Sequence, residues 1–197
     1  MASINHKVVQ PYDSNSDNGW YSYTCGHCNT NVAGICFAGY HTAYGTVKWL
    51  LCPSCGDGSV LTRQGFIHPS VLFGPEIVGL PSNVKEVYQE ARNCMSVNAY
   101  TACELVCRTI LMYVAVEKGA KEKQTFVDYI SYFQDKQLIT PNMKPWVDII
   151  RGHGGKSAHT LEKPDKNRAE STLMFTAELL RLVYEMEHMA NKYTTKP

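Results

Sequence analysis

Two pairs of cysteines constrain the fold of this chain more than any other feature of its sequence. Cys25-Gly-His-Cys28 and Cys52-Pro-Ser-Cys55 are C-x-x-C pairs that are separated by 23 residues. The two-residue spacer lets both thiolates of a pair bind one ion, and two such pairs complete the tetrahedral shell that zinc prefers. The part of the chain around these pairs is too short to bury a large apolar core, so a bound metal would supply folding energy. The sequence therefore predicts a structural Zn²⁺ held by Cys25, Cys28, Cys52 and Cys55.

Other interpretations of these turns are open. A redox or disulfide pair is one alternative, but thioredoxin-like C-x-x-C sites lie at the helix N-terminus of a βαβ unit, and the sequence around the pairs indicates none. His27 could replace a cysteine as ligand, although an exposed turn residue is the preferred interpretation. Gly26 and Gly56 suit the turns because each could accept a positive φ without a Cβ clash.

The remaining four cysteines fit no metal pattern. Cys36 and His41 have a spacing that matches no familiar site, so both are interpreted as core or surface residues. Cys94, Cys103 and Cys107 fall in a helical region, where cysteine usually packs as a small hydrophobe.

The chain divides near residue 80. Its 197 residues are enough for one domain or two small ones. Residues 1–80 are rich in turn residues and aromatics but hold only three of the 19 Lys and Arg residues. We predict a zinc-ribbon module with a linker over 1–80 and a helical domain over 81–197. Strands are expected at Tyr21–Thr24 and Gly45–Leu51, and the Pro- and Gly-rich segment 67–82 is a linker or a strap.

Apolar periodicity predicts a set of helices in the second part. The expected helices lie at about 83–96, 98–117, 124–136, 146–150 and 165–192. Ser82 is the expected N-cap of the first helix, and Gly119 is expected to close the second. Glycines at 152, 154 and 155 are expected to interrupt the chain after the fourth. The predicted fold class is α+β, mostly α, with a small β module packed on or tethered to a four- to five-helix bundle.

Composition excludes several classes of protein. With 44% hydrophobic and 19% charged residues, the chain is not an intrinsically disordered one. A net charge of +1 gives no broad attraction to nucleic acid or to an anionic membrane. No run reaches the ~18 apolar residues of a spanning helix, and no secretory signal is evident, so a cytoplasmic protein is expected.

Aromatic side chains are concentrated in the first part of the chain. Six of them could stack on single-stranded bases, namely Trp20, Tyr21, Tyr23, Tyr40, Tyr44 and Trp49. The preferred interpretation is that they fill a small core or face the helical domain.

The most unusual local sequence is the segment 149–159, which has three glycines within four residues. Arg151 and Lys156 supply fixed positive charge, and His153 and His159 can exchange protons near neutral pH. Such a cluster could bind a phosphate or cleave RNA. In cleavage, a histidine would move a proton while arginine stabilises the charge on phosphorus.

Two qualifications apply to this cluster. The Gly-Gly-Lys-Ser string is not a P-loop, because Ile150 stands where the leading glycine is required. The preferred interpretation is a purely structural role, with Arg151 paired to an acidic residue such as Glu90 or Glu104 and His159 capping a loop.

The helical part resembles the DUF4145 domain family, a relative of the HEPN helical bundles. The resemblance covers about residues 75–190, and the cysteine pairs look like the zinc ribbon sometimes attached to such domains. It is carried by Pro81, Val87-Tyr-Gln-Glu-Ala91, Ala99-Tyr-Thr-Ala-Cys-Glu-Leu-Val-Cys-Arg108, Ile150-Arg151, Gly154 and Ala158-His159. It implies a HEPN-like bundle of four to five helices that could form a homodimer.

The resemblance also bears on function. Members of the broader group occur in bacterial restriction and phage-conflict systems, and some HEPN proteins are metal-independent ribonucleases with four to six residues between Arg and His. Arg151 and His159 match the family positions, but seven residues separate them, and Gly155 stands where the family usually has Asn. Two other pairs meet the spacing and are interpreted as incidental, Arg63 with His68 and Arg181 with His188.

Three functions are consistent with these observations. The preferred one is a non-catalytic zinc-containing binding module of a defence or counter-defence system, with a protein, nucleic-acid or nucleotide partner. The alternative is a HEPN-type ribonuclease that uses Arg151 and His159. The third is a bundle that binds a small anion in the glycine-rich turn through Lys156.

Overall fold

The structure is a computed structural model that describes residues 10–11, 19–156 and 163–194, of which 10–11, 42 and 153–156 are described by their backbone alone. The described residues form two compact units that divide between Leu72 and Phe73. The first unit consists of strands and the second of helices.

The N-terminal unit is a six-stranded antiparallel sheet. The strands are β1 (Gln10–Pro11), β2 (Trp20–Thr24), β3 (Asn31–Thr42), β4 (Gly45–Leu51), β5 (Gly58–Leu61) and β6 (Ile67–His68). Both β1 and β2 pair with β3, and β3 continues through β4 and β5 to β6. The predicted strand at Gly45–Leu51 is confirmed, and β2 begins one residue before the prediction.

The core of this sheet is small. Along β3 the residues at 32, 34 and 36 are buried while those at 31, 33, 35 and 37 are exposed, the alternation of a half-buried strand. Gly34 belongs to the buried face because a Cβ there would lie 2.3 Å from Cε1 of the Tyr23 ring. The buried core residues are Tyr23, Cys25, Val32, Cys36, Leu50, Cys52 and Leu61. Three of the seven are cysteines, so the apolar core alone is a weak source of stability.

The second unit contains five helical segments within the residues that the structure describes. They are α1 (Ser82–Ser96), α2 (Tyr100–Glu117), α3 (Phe126–Asp135), α4 (Lys144–Lys156) and a last segment in which α5 (Lys166–Leu180) continues through a π-helical turn (Arg181–Glu185) into α6 (Met186–Thr194). All five predicted helices are present, and the α+β fold class with a dominant helical part is confirmed.

The helical core forms around α2. Its predicted apolar stripe is buried in full, namely Cys103, Cys107, Ile110, Leu111 and Val114. From α5, Leu173, Phe175 and Leu179 are also fully buried. The indole of Trp146 meets the Phe175 ring edge-on, with 5.6 Å between centroids, so α4 packs on the same core.

Helix starts differ from the sequence prediction. Ser82 is the first residue of α1 rather than its N-cap, which is Pro81 and forms no side-chain cap. By contrast, α3 starts at a capping box in which Thr125 and Asp128 hydrogen-bond each other's backbone amides, a pattern that the sequence analysis missed. Gly119 follows α2 with φ of +103°, as expected of a helix C-terminus.

The predicted interruption at the glycines after Ile150 is wrong. Helix α4 continues through Gly152, Gly154 and Gly155 to Lys156. Each glycine costs about 1 kcal/mol relative to alanine in a helix interior. Burial of Val147 and Ile150 anchors the preceding turns, so tertiary packing outweighs the local preference.

Segment 73–80 packs on the helical unit. Ile77 is part of the helical core, and Phe73 and Leu80 pack against it. The hydroxyl of Tyr88 donates to the Pro75 carbonyl at 2.9 Å. We refer to residues 73–80 as the strap. None of the helices that the structure describes is long and apolar enough to cross a lipid bilayer.

Candidate metal centre

The four cysteines of the two C-x-x-C pairs converge at one end of the sheet. Their Sγ atoms all lie within 4.8 Å of one another. Sγ of Cys25 is 3.8 Å from Sγ of Cys55, and Sγ of Cys28 is 3.8 Å from Sγ of Cys52. A tetrahedral ion with metal–sulfur bonds of about 2.3 Å holds its sulfurs about 3.8 Å apart. The sulfur geometry therefore fits a tetrahedral ion such as zinc.

The two cysteine turns have the same backbone hydrogen bonds. In each, the amide of the first cysteine donates to the carbonyl five residues later, and the residue four positions later donates back to the carbonyl of that cysteine. The bonds are Cys25 N to Thr30 O at 3.0 Å, Asn29 N to Cys25 O at 2.9 Å, Cys52 N to Asp57 O at 3.0 Å and Gly56 N to Cys52 O at 2.9 Å. Each turn thus places both of its thiols on the side where the four sulfurs meet.

Of the two glycines in these turns, Gly56 has the conformation predicted for it and Gly26 does not. Gly56 has φ of +81°, as expected, but the equivalent position of the first turn is Asn29, with φ of +57°. Gly26 is not among the positive-φ residues. It is required because a Cβ there would lie 2.1 Å from the Pro69 carbonyl oxygen.

The electrostatics of the thiols favour a bound cation. Hydrogen bonds from Thr30 lower the pKa of the Cys28 thiol to about 6, which favours the thiolate, the form that binds metal, whereas the pKa of Cys55 in the same cluster is raised. Burial raises the pKa of Cys25, so a thiolate at this position requires nearby positive charge. The amide of His27 also approaches Cys25 Sγ, at 3.4 Å.

Chemically, the centre suits a structural role. Four thiolates fill a tetrahedral shell, which leaves no position for a substrate. His27 lies outside the cluster: its Nε2 is 3.0 Å from the Gly58 carbonyl oxygen, and its Nδ1 is 4.0 Å from Asp57 Oδ2.

The other cysteines do not extend this centre. The Cys36 thiol is buried and lies 3.5 Å from the Ala38 carbonyl oxygen. His41 Nδ1 lies 2.9 Å from Thr46 Oγ1. Cys103 and Cys107 are buried in the helical core. Among the described side chains, the Cys25, Cys28, Cys52 and Cys55 group is the one cluster with metal-binding geometry.

Arg151 links two helices. Its Nη2 donates to Ser131 Oγ at 2.8 Å and to Gln134 Oε1 at 2.6 Å, both on α3. Its Nη1 also lies 3.5 Å from Asp148 Oδ1. Arg151 therefore ties α4 to α3, and its acidic partner is Asp148 rather than Glu90 or Glu104, the examples suggested by the sequence.

Glu104 has another partner. Arg168 on α5 holds it in a two-pronged ion pair, with Nε 2.8 Å and Nη2 3.0 Å from the two carboxylate oxygens. Thr172 Oγ1 lies 3.5 Å from the same carboxylate. No local sequence pattern indicates this pair, because the two residues are 64 positions apart.

The remaining members of the Arg–His segment lie outside what the structure describes. His159 falls in the undescribed residues, and the side chains of His153 and Lys156 are likewise not described, so the predicted cluster with Arg151 stays a prediction. Arg181, of the incidental pair with His188, forms ion pairs with Glu185 at 2.8 Å and Glu178 at 3.3 Å.

One surface of the sheet has an exposed apolar row. Trp20 pairs with Ile35, and Ile35 pairs with Leu51, so the three side chains are neighbours across β2, β3 and β4. Their exposed fractions are 64%, 37% and 38%. Trp20 therefore does not fill the core as expected, whereas Tyr23 does. We call these three residues the apolar row.

Comparison with known families gives a match over the helical part of the chain. The sequence model of a family described as "Domain of unknown function (DUF4145)" matches residues 89–196, more than half of the chain. No curated protein and no solved structure matches the chain.

Proposed function

The chain belongs to the DUF4145 family, whose description assigns no function, and on the evidence of its own residues we propose that it is a non-catalytic binding module. In this proposal a structural zinc holds the N-terminal sheet, and the apolar row docks an apolar surface of a protein partner. The observation that carries it is the alignment of Trp20, Ile35 and Leu51 across three strands on the exposed face.

The four-cysteine cluster supports the structural part of the proposal. The sulfur spacing suits a tetrahedral ion, and the shell would be complete without water or substrate. Zinc is the ion that most often fills a four-thiolate site in a small β module. Its contribution would be to fix the strands that present the apolar row.

The chemistry of the exposed face supports a protein partner. Residues 1–72 contain three Lys and Arg and three Asp and Glu residues, so this unit has no excess positive charge. Nucleic-acid binding draws on clustered cations for most of its affinity. Phe37, also exposed on β3, adds to an aromatic and aliphatic surface of the kind that contributes most binding energy in protein interfaces.

The position of Arg151 supports a non-catalytic helical unit. Its Nη2 is occupied by two acceptors of α3, Ser131 and Gln134. A guanidinium that stabilises a phosphorane needs free donors at the reacting group. Here Nη2 serves helix packing, Nη1 contacts Asp148, and Nε has no hydrogen-bond partner but is buried. The ribonuclease alternative therefore has the weaker support.

Selection from a displayed peptide library tests the docking surface. Peptides that bind the zinc-loaded protein should lose at least ~tenfold in affinity with Trp20→Ser, the loss expected of an aromatic anchor. Phe66→Ser is the matched control, since Phe66 is equally exposed, at 65% against 64% for Trp20, but lies outside the row. Peptides that bind the Trp20 variant as tightly as the parent would show that the row is not the docking surface.

An RNA assay tests the absence of catalysis. We expect no cleavage of a mixed panel of single-stranded and hairpin RNAs by the zinc-loaded protein. Cleavage that is lost in His159→Ala, with its helix content unchanged, would replace the binding proposal with the ribonuclease one.

A further inference from the structure

The helical unit has a cavity of 350 Å³ between the strap and α1. Its α1 wall includes Lys85, Gln89 and Arg92, and its strap wall runs from Glu76 to Leu80. A volume of this size is enough for a small organic ligand.

Arg92 is the anomalous residue of this cavity. It is only 6% exposed. Its Nε and Nη2 donate to the carbonyls of Phe73 and Gly74, at 3.1 and 3.0 Å, and its Nη1 donates to Gln89 Oε1 at 3.3 Å. All three acceptors are uncharged, and no carboxylate forms an ion pair with Arg92 among the residues that the structure describes. The Tyr88 ring, whose centroid is 5.9 Å from the guanidinium carbon, adds a cation–π contact, but a buried cation without a counter-charge remains costly.

The guanidinium has donors to spare. Arginine has five N–H groups, and the three hydrogen bonds above leave one N–H on each terminal nitrogen. Two such N–H groups match the two oxygens of a carboxylate or phosphate. Lys85, one helical turn away from Gln89 on the same wall, adds a second cation.

We propose that this cavity binds a small organic oxyanion, whose phosphate or carboxylate group is held by Arg92 and Lys85. Gln89, already bonded to Arg92, supplies a neutral amide beside the anion. The organic part of the ligand lies against the apolar wall formed by Ile77, Leu80 and the Tyr88 ring. The site is independent of the metal centre and of the apolar row.

Glu76 is the acidic residue among those that line the cavity, and a second carboxylate, of Glu185, accepts the amide of the lining residue Val78 and is paired with Arg181. Glu76 is exposed, so water screens its repulsion. Removing this charge should strengthen anion binding, while removing Lys85 should weaken it. The opposite signs separate an anion site from a general effect of substitution.

A purely structural role for Arg92 is the alternative. Its bonds to Phe73 and Gly74 hold the strap to α1, and a clamp needs no ligand. Under this alternative the protein binds no anion at the cavity, whatever residue stands at position 85.

Titration of the zinc-loaded full chain with inorganic phosphate and, separately, with acetate distinguishes the two. Calorimetry and phosphorus NMR should give saturable binding of at least one anion in the millimolar range. In Lys85→Gln the Kd should rise about tenfold, the loss of one charge-assisted hydrogen bond, and in Glu76→Gln it should fall. Lys121→Gln, the same charge change at an exposed site away from the cavity, should leave the Kd unchanged.

At position 92 a conservative substitution is needed, because loss of the Arg92 hydrogen bonds could unfold the strap. Arg92→Lys keeps the charge but loses the planar fork, so the anion should bind more weakly while the helix content is retained. Absence of saturable binding of both anions, or equal binding by the parent, Lys85→Gln and Lys121→Gln, would overturn the proposal in favour of a clamp.

Discussion

Asn29 and Gly56 occupy the same position in the two cysteine turns. Each has a positive φ, 57° and 81°, and each donates its amide to the carbonyl of the first cysteine of its own pair. The left-handed region is open to glycine and tolerated by asparagine. The cluster is therefore assembled from two copies of one backbone turn that use different residues for the same conformation.

Gly56→Ala should weaken the metal centre. A Cβ meets nothing within 4 Å at this position, so the cost is that of the positive φ alone, about 1 kcal/mol. The zinc Kd, measured by competition with a chelating dye, should rise several-fold. Asn29→Gly should be neutral within a few tenths of a kcal/mol, because glycine adopts the same φ freely.

Gly65→Ala is the control for this prediction. Gly65 has φ of +83° and equally open surroundings, but it lies in the turn before β6. It should lower the unfolding free energy of the sheet without changing the zinc Kd. Equal weakening of zinc binding by both alanine variants would mean that general destabilisation, not the cysteine turn, is responsible.

Gly26→Ala should be more damaging than Gly56→Ala. Its Cβ would lie 2.1 Å from the Pro69 carbonyl oxygen and 2.7 Å from that of Ser70. Both are backbone atoms, so relief requires the chain after β6 to move, at a cost of ~3 kcal/mol. Urea unfolding followed through zinc release should show the loss. Gly58→Ala is the matched control, since its nearest atom would be the Leu50 carbonyl oxygen at an ordinary 3.8 Å, and similar midpoints for the two variants would refute the steric argument.

Cys25→Ser should remove the metal and unfold the sheet while the helices persist. The small core of the sheet contains Cys25 and Cys52, and a zinc site can supply most of the folding energy of such a module. Elemental analysis should find about one zinc per parent chain and far less in the variant. Cys94→Ser, a cysteine outside the cluster, should keep the metal.

The circular-dichroism signal of the helices tests whether the two units fold separately. Ellipticity at 222 nm should change little in Cys25→Ser, because the helical unit has its own core. If Cys25→Ser abolishes the helical signal, the two units do not fold separately. If the parent protein contains another metal in place of zinc, the cysteine geometry is right and the ion is wrong.

Structural features that depend on residues close together in the sequence could be predicted. The C-x-x-C spacing determines how two thiols of one turn are placed, so the cluster of four was found without a structure. The spacing of Cys103, Cys107 and Ile110 likewise identified the buried face of α2, because helical periodicity is a local property.

Features set by distant pairing could not be predicted in this way. The apolar row depends on the register of three strands, and a shift of one residue would turn Ile35 to the other face. In α4, the glycines favour a turn locally, and the helix persists because of packing that the local sequence does not encode. The positive φ of Asn29 was missed for a different reason, because only the glycines at 26 and 56 were considered for such a conformation, although asparagine also tolerates it.

Arg168→Met should destabilise the helical unit by ~3 kcal/mol, because it leaves the buried Glu104 carboxylate without its two-pronged partner. Replacing both residues, as Glu104→Leu with Arg168→Met, should recover most of that loss, since an apolar pair of similar size has no unpaired charge to bury. Lys166→Met is the matched control, because it breaks an exposed ion pair with Glu170, one helical turn further along α5. It should cost no more than ~0.5 kcal/mol. Urea unfolding followed by ellipticity at 222 nm measures all three. A double variant no more stable than Arg168→Met would mean that the unpaired Glu104 carboxylate is not the cause of the loss.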